Sequence, residues 1–288
     1  MKIRQIAKIR GGQDGAIWEN QLFRFDHRGK CAVYDLRETD PCEVRELEPI
    51  GEFVLDKADV IVPHSNAVCW GTEFFESGDK YPLLYTNVYN NYAKSENKLV
   101  GVCCVYRVMR DEKGFKTALV QLIEIGFTED PLLWKAAPDA DGVRPYGNFV
   151  IDRESGYYYS FVMRNEELGT RYFKFKIPSV NEGEIDETYG VKRVVLREED
   201  ICDMFDCPYH RFIQGATLHG GYIYSTEGFE NNAVNRPAIR IIDLEGKRQE
   251  RYIDLLEDGY LMEPEMIDFY GDAFCYSDAV GNLYRLEL

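Results

Sequence analysis

The chain has 288 residues, of which 45% are hydrophobic and 29% charged, a composition typical of folded globular proteins rather than disordered ones. This length allows one large all-β domain or two ordinary domains. The formal net charge of −16 argues against binding to nucleic acid or to anionic membranes, because both need clustered Lys and Arg.

The N-terminal segment, residues 2–10, alternates charged with apolar side chains, which predicts a strand rather than the apolar core of a signal peptide. No apolar run approaches the roughly 20 residues that span a bilayer. Eight Cys occur without regular spacing, in a chain too long to need disulfide staples. We therefore expect a soluble, cytoplasmic protein with reduced thiols, although a mature exported form would show the same features.

Short alternating strands closed by tight turns recur along the chain, while helical periodicity is almost absent. Aromatic residues reach 14%, and such residues suit pleated, half-buried surfaces. The pattern predicts strands at residues 16–25, 30–36, 157–163, 170–177, 221–225 and 238–244.

Turns of the form Asp-x-x-Gly join several of the strands. Asp caps such a turn through its side chain, and Gly takes the left-handed position that a four-residue hairpin turn demands. We interpret all of them as hairpin turns without a further function. They stand at residues 26–29, 111–114, 243–246 and 278–281, with a slightly longer version at 152–156.

A faint repeat divides the chain into five units. The first strand of each unit follows a polar segment, at residues 13–14, 64–66, 146–148, 214–216 and 263–265. The intervals are 51, 82, 68 and 49 residues, counted from residues 13, 64, 146, 214 and 263. Because propeller blades repeat every ~40–50 residues with extra residues in loops, we place insertions at residues 127–143 and 181–206.

The two ends of the chain predict how such a ring closes. After residue 263 the sequence offers three strands, and residues 3–9 supply the fourth strand of that blade, which leaves no exposed sheet edge. The sequence therefore predicts an all-β fold, a single five-bladed β-propeller domain over residues 1–288. A six-bladed ring of about 48 residues per blade is one alternative, and a β-sandwich followed by a second all-β domain is another.

Two neighbouring stretches, residues 64–73 and 79–87, resemble a group of uncharacterised bacterial β-propeller-like proteins. Residues 214–216 and 239–244 are similar to the same group, so the resemblance covers about half of the chain. It implies the propeller fold. It implies no activity, because that group has no established chemistry.

The starts of the innermost strands surround one mouth of a propeller's central channel, where such folds usually bind ligands. In this chain those starts are unusually polar. The residues are Gln13, Asp14, His64, Asn66, Asn148, Gln214, Glu263 and Glu265. Carboxylates, amides and one imidazole can together bind sugar hydroxyls or a hard cation, so we predict a ligand site at this mouth. A solvated rim without a ligand is the alternative.

Three acids of this set are candidates for catalysis. Glycosidic cleavage needs a protonated acid and an ionised carboxylate, roughly 5–9.5 Å apart. Asp14 with Glu263 or Glu265 could form such a pair, because the first and last blades of a closed ring are neighbours. Glu73 and Glu227 are further acids near inner strands. This chemistry rests on analogy between folds.

Metal binding has less support in the sequence. His64 and His219 could bind a transition metal with a carboxylate, but no spacing rule links them. Cys202, Cys207 and His210 could supply three zinc ligands, but the fourth is missing. The acidic run before these cysteines instead predicts a short capping helix whose Cys and Met pack inward. We predict neither a metal nor a cofactor.

Asn-rich segments with flanking aromatics stand at residues 89–92 and 229–232. Stacking surfaces combined with amide groups suit sugar rings, but Asn also adopts left-handed turn conformations readily. We interpret both segments as turns.

Three functions of different classes remain. The first is a propeller that binds a small polar or carbohydrate-like ligand, or a partner, at the channel mouth. The second is a glycoside hydrolase that uses the carboxylate pair. The third is a protein-interaction platform without a small-molecule site. We adopt the first, and the sequence leaves open whether the protein is an enzyme.

Overall fold

The computed structural model describes residues 1–40, 42–88, 99, 101–127, 148–210 and 212–288. These residues form twenty-two strands in five sheets, which stand around a common axis as the blades of a β-propeller. The predicted five-bladed ring is therefore confirmed, and the six-bladed and sandwich alternatives are wrong.

Blade 1 contains a hairpin where the sequence predicted one strand. Trp18 pairs with Gln21, and Glu19 turns the chain with a left-handed φ of 53°. The turn residues, Glu19 and Asn20, include no Gly or Pro to mark the break. The strands of blade 1 are β2 (Gly15–Trp18), β3 (Gln21–Phe25), β4 (Lys30–Asp35) and β5 (Gly51–Val54).

Blade 2 is wider than the others because a hairpin from later in the chain extends it. Its own strands are β6 (Val68–Trp70), β7 (Leu84–Asn87), β8 (Val102–Asp111) and β9 (Gly114–Ile125). β14 (Val191–Leu196) pairs in parallel with β9, and β13 (Glu184–Asp186) pairs antiparallel with β14.

Blade 3 consists of β10 (Asn148–Asp152), β11 (Tyr157–Asn165), β12 (Gly169–Lys176) and β15 (Ile201–Cys207). The predicted insertion at 181–206 is therefore only partly an insertion. β13 and β14 leave the blade, whereas β15 pairs with β12 as its outer strand. The other predicted insertion, 127–143, lies outside the described residues except for Phe127.

The predicted capping helix before Cys207 is wrong. A single 3-10 turn, Glu198–Asp200, precedes β15, and the chain then alternates in exposure as a strand does. Cys202 and Met204 fall on the outward face of this outer strand and are exposed rather than packed inward.

Blades 4 and 5 complete the ring. Blade 4 is β16 (Ile213–His219), β17 (Tyr222–Glu227), β18 (Ala238–Asp243) and β19 (Arg248–Asp254). Blade 5 is β20 (Pro264–Tyr270), β21 (Ala273–Asp278), β22 (Asn282–Glu287) and β1 (Lys2–Lys8). β1 pairs antiparallel with β22, so the predicted closure of the ring by the N-terminal strand is confirmed.

Helices contribute little to the described chain. One short α-helix, α1 (Ala58–Ile61), follows blade 1, and a 3-10 turn, Leu36–Glu38, follows β4. None of the helices in the described ranges is long and apolar enough to cross a membrane.

The Asp-x-x-Gly turns form as predicted. At each of them the aspartate carboxylate accepts hydrogen bonds from backbone N–H groups of the turn, as Asp26 does from Arg28 and Lys30. The turn after Asp243 differs, because Lys247, with φ of 51°, takes the left-handed position instead of Gly246.

The hydrophobic core lies between neighbouring blades rather than at the axis. Each blade packs an apolar face on the next, and the resulting clusters fill the interfaces around the whole ring. Between blades 1 and 2, for example, Phe23 packs edge-on against Trp70 at a ring-centroid distance of 4.9 Å. Polar side chains are thereby left to the channel.

Candidate functional site

The start of β2 binds the start of β6, so these two inner strands begin at the same mouth of the channel. Asp14 is 0% exposed, and its Oδ2 accepts a hydrogen bond from the backbone N–H of Val68 at 2.8 Å. The backbone N–H of Asp14 also donates to the carbonyl of Ser65, at 3.3 Å. Blades 1 and 2 are joined at this point.

The other carboxylate oxygen of Asp14 reaches the inner strand of blade 4. A Cβ built on Gly215 would lie 2.8 Å from Oδ1 of Asp14 and 2.5 Å from the carbonyl oxygen of Glu265. Because such contacts are too short for a carbon atom, only glycine fits here. The predicted site residues Asp14 and Glu265 therefore meet beside Gly215.

Two glutamines hold the two glutamates of blade 5. Gln13 Nε2 donates to Oε1 of Glu265 at 3.2 Å, and Gln214 Nε2 donates to Oε1 of Glu263 at 2.5 Å. Gln214 Nε2 also donates to the carbonyl of Gly228, at 3.2 Å. Glu265 is 2% exposed, whereas Glu263 is only half-buried and is the more accessible carboxylate.

Asn66 and Asn148 belong to a buried amide cluster centred on Asn87, a residue that sequence reasoning missed. Asn87 Nδ2 donates to Oδ1 of Asn66 at 2.6 Å and lies 3.4 Å from Oδ1 of Asn148. Asn148 Nδ2 donates to the carbonyl of Ile213 at 3.4 Å, while Oδ1 of Asn87 accepts from Ala67 N–H at 3.1 Å. These amides bind one another and join blades 2, 3 and 4.

The two histidines of the metal hypothesis lie at different ends of the inner strands. His64 is partly buried and precedes Ser65 at the mouth. His219 ends β16 and stacks on Phe269, with ring centroids 3.6 Å apart. The structure does not bring these two side chains together.

Cys202 and Cys207 also differ in their surroundings, since the first is exposed and the second is buried. Across the residues that the structure describes, no group of three or more His, Cys, Asp or Glu side chains is placed to hold a metal ion. All eight cysteines lie in this part of the chain, and all are free thiols.

Arg24 is a buried cation of the mouth that sequence reasoning missed. It is 2% exposed, and its Nη2 donates to the carbonyls of Gly12 at 2.9 Å and Asp278 at 3.0 Å. Its charge interacts with those of Glu265 and Asp14. A lone Arg inside the apolar run of β3 was the available signal, because a charge there needs a buried partner.

Burial dominates the electrostatics of this cluster. It raises the pKa of the Asp14 and Glu265 carboxyls well above their ordinary range, although the positive charge of Arg24 lowers both. The pKa of Glu263 is raised as well, first by burial and then by the negative charge of Glu230. Burial lowers the pKa of the Arg24 guanidinium. Proton binding at the mouth is thus favoured over ionisation, relative to free carboxylic acids.

Several atoms of the cluster lack hydrogen-bond partners within the described part of the chain. They are acceptors on two carboxylates and donors on one guanidinium. The atoms are Oδ1 of Asp14, Oε2 of Glu265, and Nε and Nη1 of Arg24. Buried polar groups in proteins are nearly always hydrogen-bonded, so this concentration of unpaired atoms is unusual.

A second polar cluster, centred on Asp268, crosses the channel further from the mouth. Asp268 accepts hydrogen bonds from Ile17 N–H and from the Thr217 hydroxyl, both at 2.7 Å. Arg153 Nη2 lies 3.6 Å from its Oδ1. These contacts link blades 5, 1, 4 and 3.

The other two acids considered for catalysis, Glu73 and Glu227, interact with protein groups that do not belong to the mouth cluster. Glu73 accepts hydrogen bonds from the Ser179 hydroxyl and from Val180 N–H, both at 2.9 Å. Glu227 forms a buried bidentate pair with Arg240, at 2.7 and 3.0 Å. Both are accounted for by structural contacts.

The two Asn-rich segments have different outcomes. Residues 89–92 lie outside the described residues. In 229–232, Asn232 Oδ1 accepts from the N–H groups of Val234 and Asn235, at 2.9 and 2.8 Å, and Asn231 has a left-handed φ of 37°. This is the turn chemistry that the sequence predicted.

Solved structures are similar to this chain at low sequence identity. Myxococcus xanthus glutaminyl cyclase superposes with a TM-score of 0.50 at 10% identity, over 99% of this chain and 93% of that one. BamB from Moraxella catarrhalis gives a TM-score of 0.32 at 10% identity, over 97% of this chain and 58% of that one. No family model matches the chain, and no curated protein matches it significantly in sequence. The likeness to the cyclase supports the propeller fold alone.

Proposed function

We propose that the channel mouth binds a small polar ligand through Asp14, Glu263 and Glu265. One observation carries the proposal: Oδ1 of Asp14 and Oε2 of Glu265 are buried acceptors without a donor among the described residues. A buried acceptor left without a donor costs about 1–3 kcal/mol. A hydroxyl or amino group of a ligand supplies such a donor.

The accessibility and rigidity of the carboxylates support the same function. Glu263 is half-buried, so a ligand reaches it first, and Glu265 lies deeper beside Asp14. Gln13 and Gln214 each fix one of these glutamates by a hydrogen bond. Side chains held in place before binding lose less conformational entropy when a ligand arrives.

Carboxylate-assisted hydrolysis of a glycoside is a second candidate, favoured by one observation. Glu265 is almost fully buried, whereas Glu263 is half-exposed, so the two neighbouring acids have unlike surroundings. Pairs of carboxyls in unlike surroundings can divide the roles of acid and base. Release of nitrophenol from a panel of nitrophenyl glycosides tests this candidate, and its absence leaves ligand binding as the better account.

A thermal-shift screen tests the proposed binding function. The panel contains neutral sugars, amino sugars, small carboxylic acids, and divalent cations with and without chelator. A ligand that binds only the folded state raises the melting temperature. We expect at least one class to do so, and we expect the Glu263→Gln and Glu265→Gln double variant to lose the shift.

The matched control is Glu43→Gln, which removes an exposed carboxylate from the connection between β4 and β5. It should keep the full shift. A panel that produces no shift with the wild-type protein would remove the small-ligand proposal and favour the protein-interaction platform.

A further inference from the structure

We infer that the ligand of this mouth carries a protonated amine. The inference rests on the proposed binding site and adds the chemical class of its ligand. It follows from which hydrogen-bonding groups of the mouth are already used, from the charges around them, and from the buried acceptors that remain.

The side-chain amides of Gln13 and Gln214 donate hydrogen bonds to acceptors of the protein itself. Gln13 Nε2 donates to Glu265, and Gln214 Nε2 donates to Glu263 and to the carbonyl of Gly228. What these pairs still offer is the second oxygen of each carboxylate. A ligand with donors of its own can bind these oxygens.

The buried donors beneath this layer are held inside the protein. Arg24 is 2% exposed, its Nη2 is anchored on the backbone carbonyls of Gly12 and Asp278, and its unpaired Nε and Nη1 are enclosed with it. Its guanidinium interacts with the carboxyl groups of Glu265 and Asp14. The net charge of −16 draws cations rather than anions towards the protein.

A second, independent observation is that two buried acceptors lack hydrogen-bond donors. Asp14 is 0% exposed and Glu265 is 2% exposed, yet Oδ1 of the first and Oε2 of the second accept no hydrogen bond within the described ranges. An ammonium group has three N–H donors on one atom. It can therefore serve more than one of these acceptors, and Asp14 and Glu265 belong to two different blades.

Ammonium suits this mouth better than a hard metal cation. Ca²⁺ takes six to eight oxygen ligands and Mg²⁺ requires an octahedral set. In the part of the chain that the structure describes, no cluster of acidic side chains is placed to hold a metal ion. An amine needs only a few acceptors, and charge-assisted hydrogen bonds to them are short and strong.

Binding of a cation should also move protons. Burial raises the pKa of Glu265 and of Glu263, and a neighbouring positive charge favours the ionised form of a carboxyl group. An amine that binds here therefore expels protons into the buffer. A neutral molecule of the same shape does not.

Two matched pairs of probes test the inference: 1,4-diaminobutane against 1,4-butanediol, and glucosamine against glucose. Isothermal titration at pH 6.5 is run in phosphate and in MES, whose ionisation enthalpies differ. We expect the amine of at least one pair to bind about tenfold or more tightly than its neutral partner, with a heat that depends on the buffer.

Variants locate the binding. Glu265→Gln should weaken amine binding by about tenfold and reduce the proton release, and Glu263→Gln should weaken it without disturbing the buried cluster. Glu43→Gln should change neither. Amine binding that is unaffected by both mouth variants would place the amine elsewhere and overturn the inference.

The outcomes separate this inference from the proposed function. If the neutral partners bind as tightly as the amines and the mouth variants abolish both, the mouth binds polar ligands but the inference is wrong. If neither pair nor the wider panel binds, the proposed function fails, and the inference fails with it.

Discussion

Asp14 and Gly215 approach each other across the channel so closely that a methyl group on Gly215 would lie 2.8 Å from the carboxylate oxygen Oδ1 of Asp14. Asp14 immediately precedes β2 of blade 1, and Gly215 lies near the start of β16 in blade 4; these two blades are not neighbours in the ring. The buried carboxylate of Asp14 thus lies against the backbone of Gly215. A single methyl group added at Gly215 would therefore disturb the packing of the mouth.

Gly215→Ala should destabilise the protein. The added methyl group would also stand 2.5 Å from the carbonyl oxygen of Glu265, and overpacking of this kind costs about 1–3 kcal/mol. Urea unfolding of both proteins measures the difference. The control is Gly78→Ala, because a Cβ at Gly78 would meet no atom within 4 Å. Equal losses in the two variants would contradict the close approach.

Glu265→Gln should flatten the dependence of stability on pH. Burial raises the pKa of Glu265 in the folded state, against the opposing charge of Arg24 and with the added repulsion of Glu263 and Asp14. Between the unfolded pKa and this raised value the folded protein binds more protons, so its stability falls as pH rises. Glu265→Gln has no carboxyl group at this position, so its stability does not fall for this reason as pH rises.

Unfolding free energies from urea titrations at pH 5 and pH 8 check this prediction. The wild-type protein should lose more stability between pH 5 and pH 8 than Glu265→Gln does. The variant should still lose some stability, because burial also raises the pKa of Asp14. Identical pH dependence in the two proteins would show that Glu265 titrates normally.

His210 should act on stability in the opposite direction. It is 0% exposed, and burial together with the positive charge of Arg240 lowers its pKa well below the usual value. Its neutral ring Nδ1 lies 3.2 Å from the Tyr172 hydroxyl. The unfolded chain binds the proton more readily, so this contribution to stability is lost as pH falls below about 6.5.

His210→Gln should therefore lose less stability between pH 7 and pH 5 than the wild-type protein. The same urea titrations provide the measurement. An unchanged acid-side slope would mean that the imidazole is accessible to protons in the folded state.

Asp268→Ala should cost about 2–4 kcal/mol, because it leaves two buried donors without their acceptor and one arginine without its partner. The donors are Ile17 N–H and the Thr217 hydroxyl, and the arginine is Arg153. Arg153→Met should cost much less, since a third of the Arg153 side chain is exposed. Equal costs in urea unfolding would contradict the central place of Asp268.

Deletion of residues 1–9 should expose the edge of β22, since β1 pairs along that strand. An open strand edge recruits other chains. We expect lower stability together with dimers or larger species in light scattering after size exclusion. A truncated protein that stays monomeric and equally stable would show that the closing strand is dispensable.

Local sequence chemistry was sufficient to place the blades. The polar segments before each inner strand predicted where β2, β6, β10, β16 and β20 begin, and Asp and Gly marked most hairpins. These signals are short-range, since turn geometry depends on a few neighbouring residues. The closure by β1 could also be predicted, because a three-stranded last blade needs a partner.

Long-range arrangements escaped prediction for physical reasons. β14 pairs with β9 in parallel, and no local sequence pattern predicts which sheet edge a strand pairs with. Arg24 and Asp268 interrupt apolar strands, yet their roles depend on partners more than 250 positions away, as for Arg24 with Asp278 and Asp268 with Ile17. Only the closed ring brings such residues together.

A crystal structure of the protein soaked with 1,4-diaminobutane tests the central claim most directly. The account predicts an amine nitrogen at the channel mouth, about 3 Å from carboxylate oxygens of Glu263 and Glu265. An amine bound only elsewhere, or a mouth filled by the protein's own side chains, would contradict it.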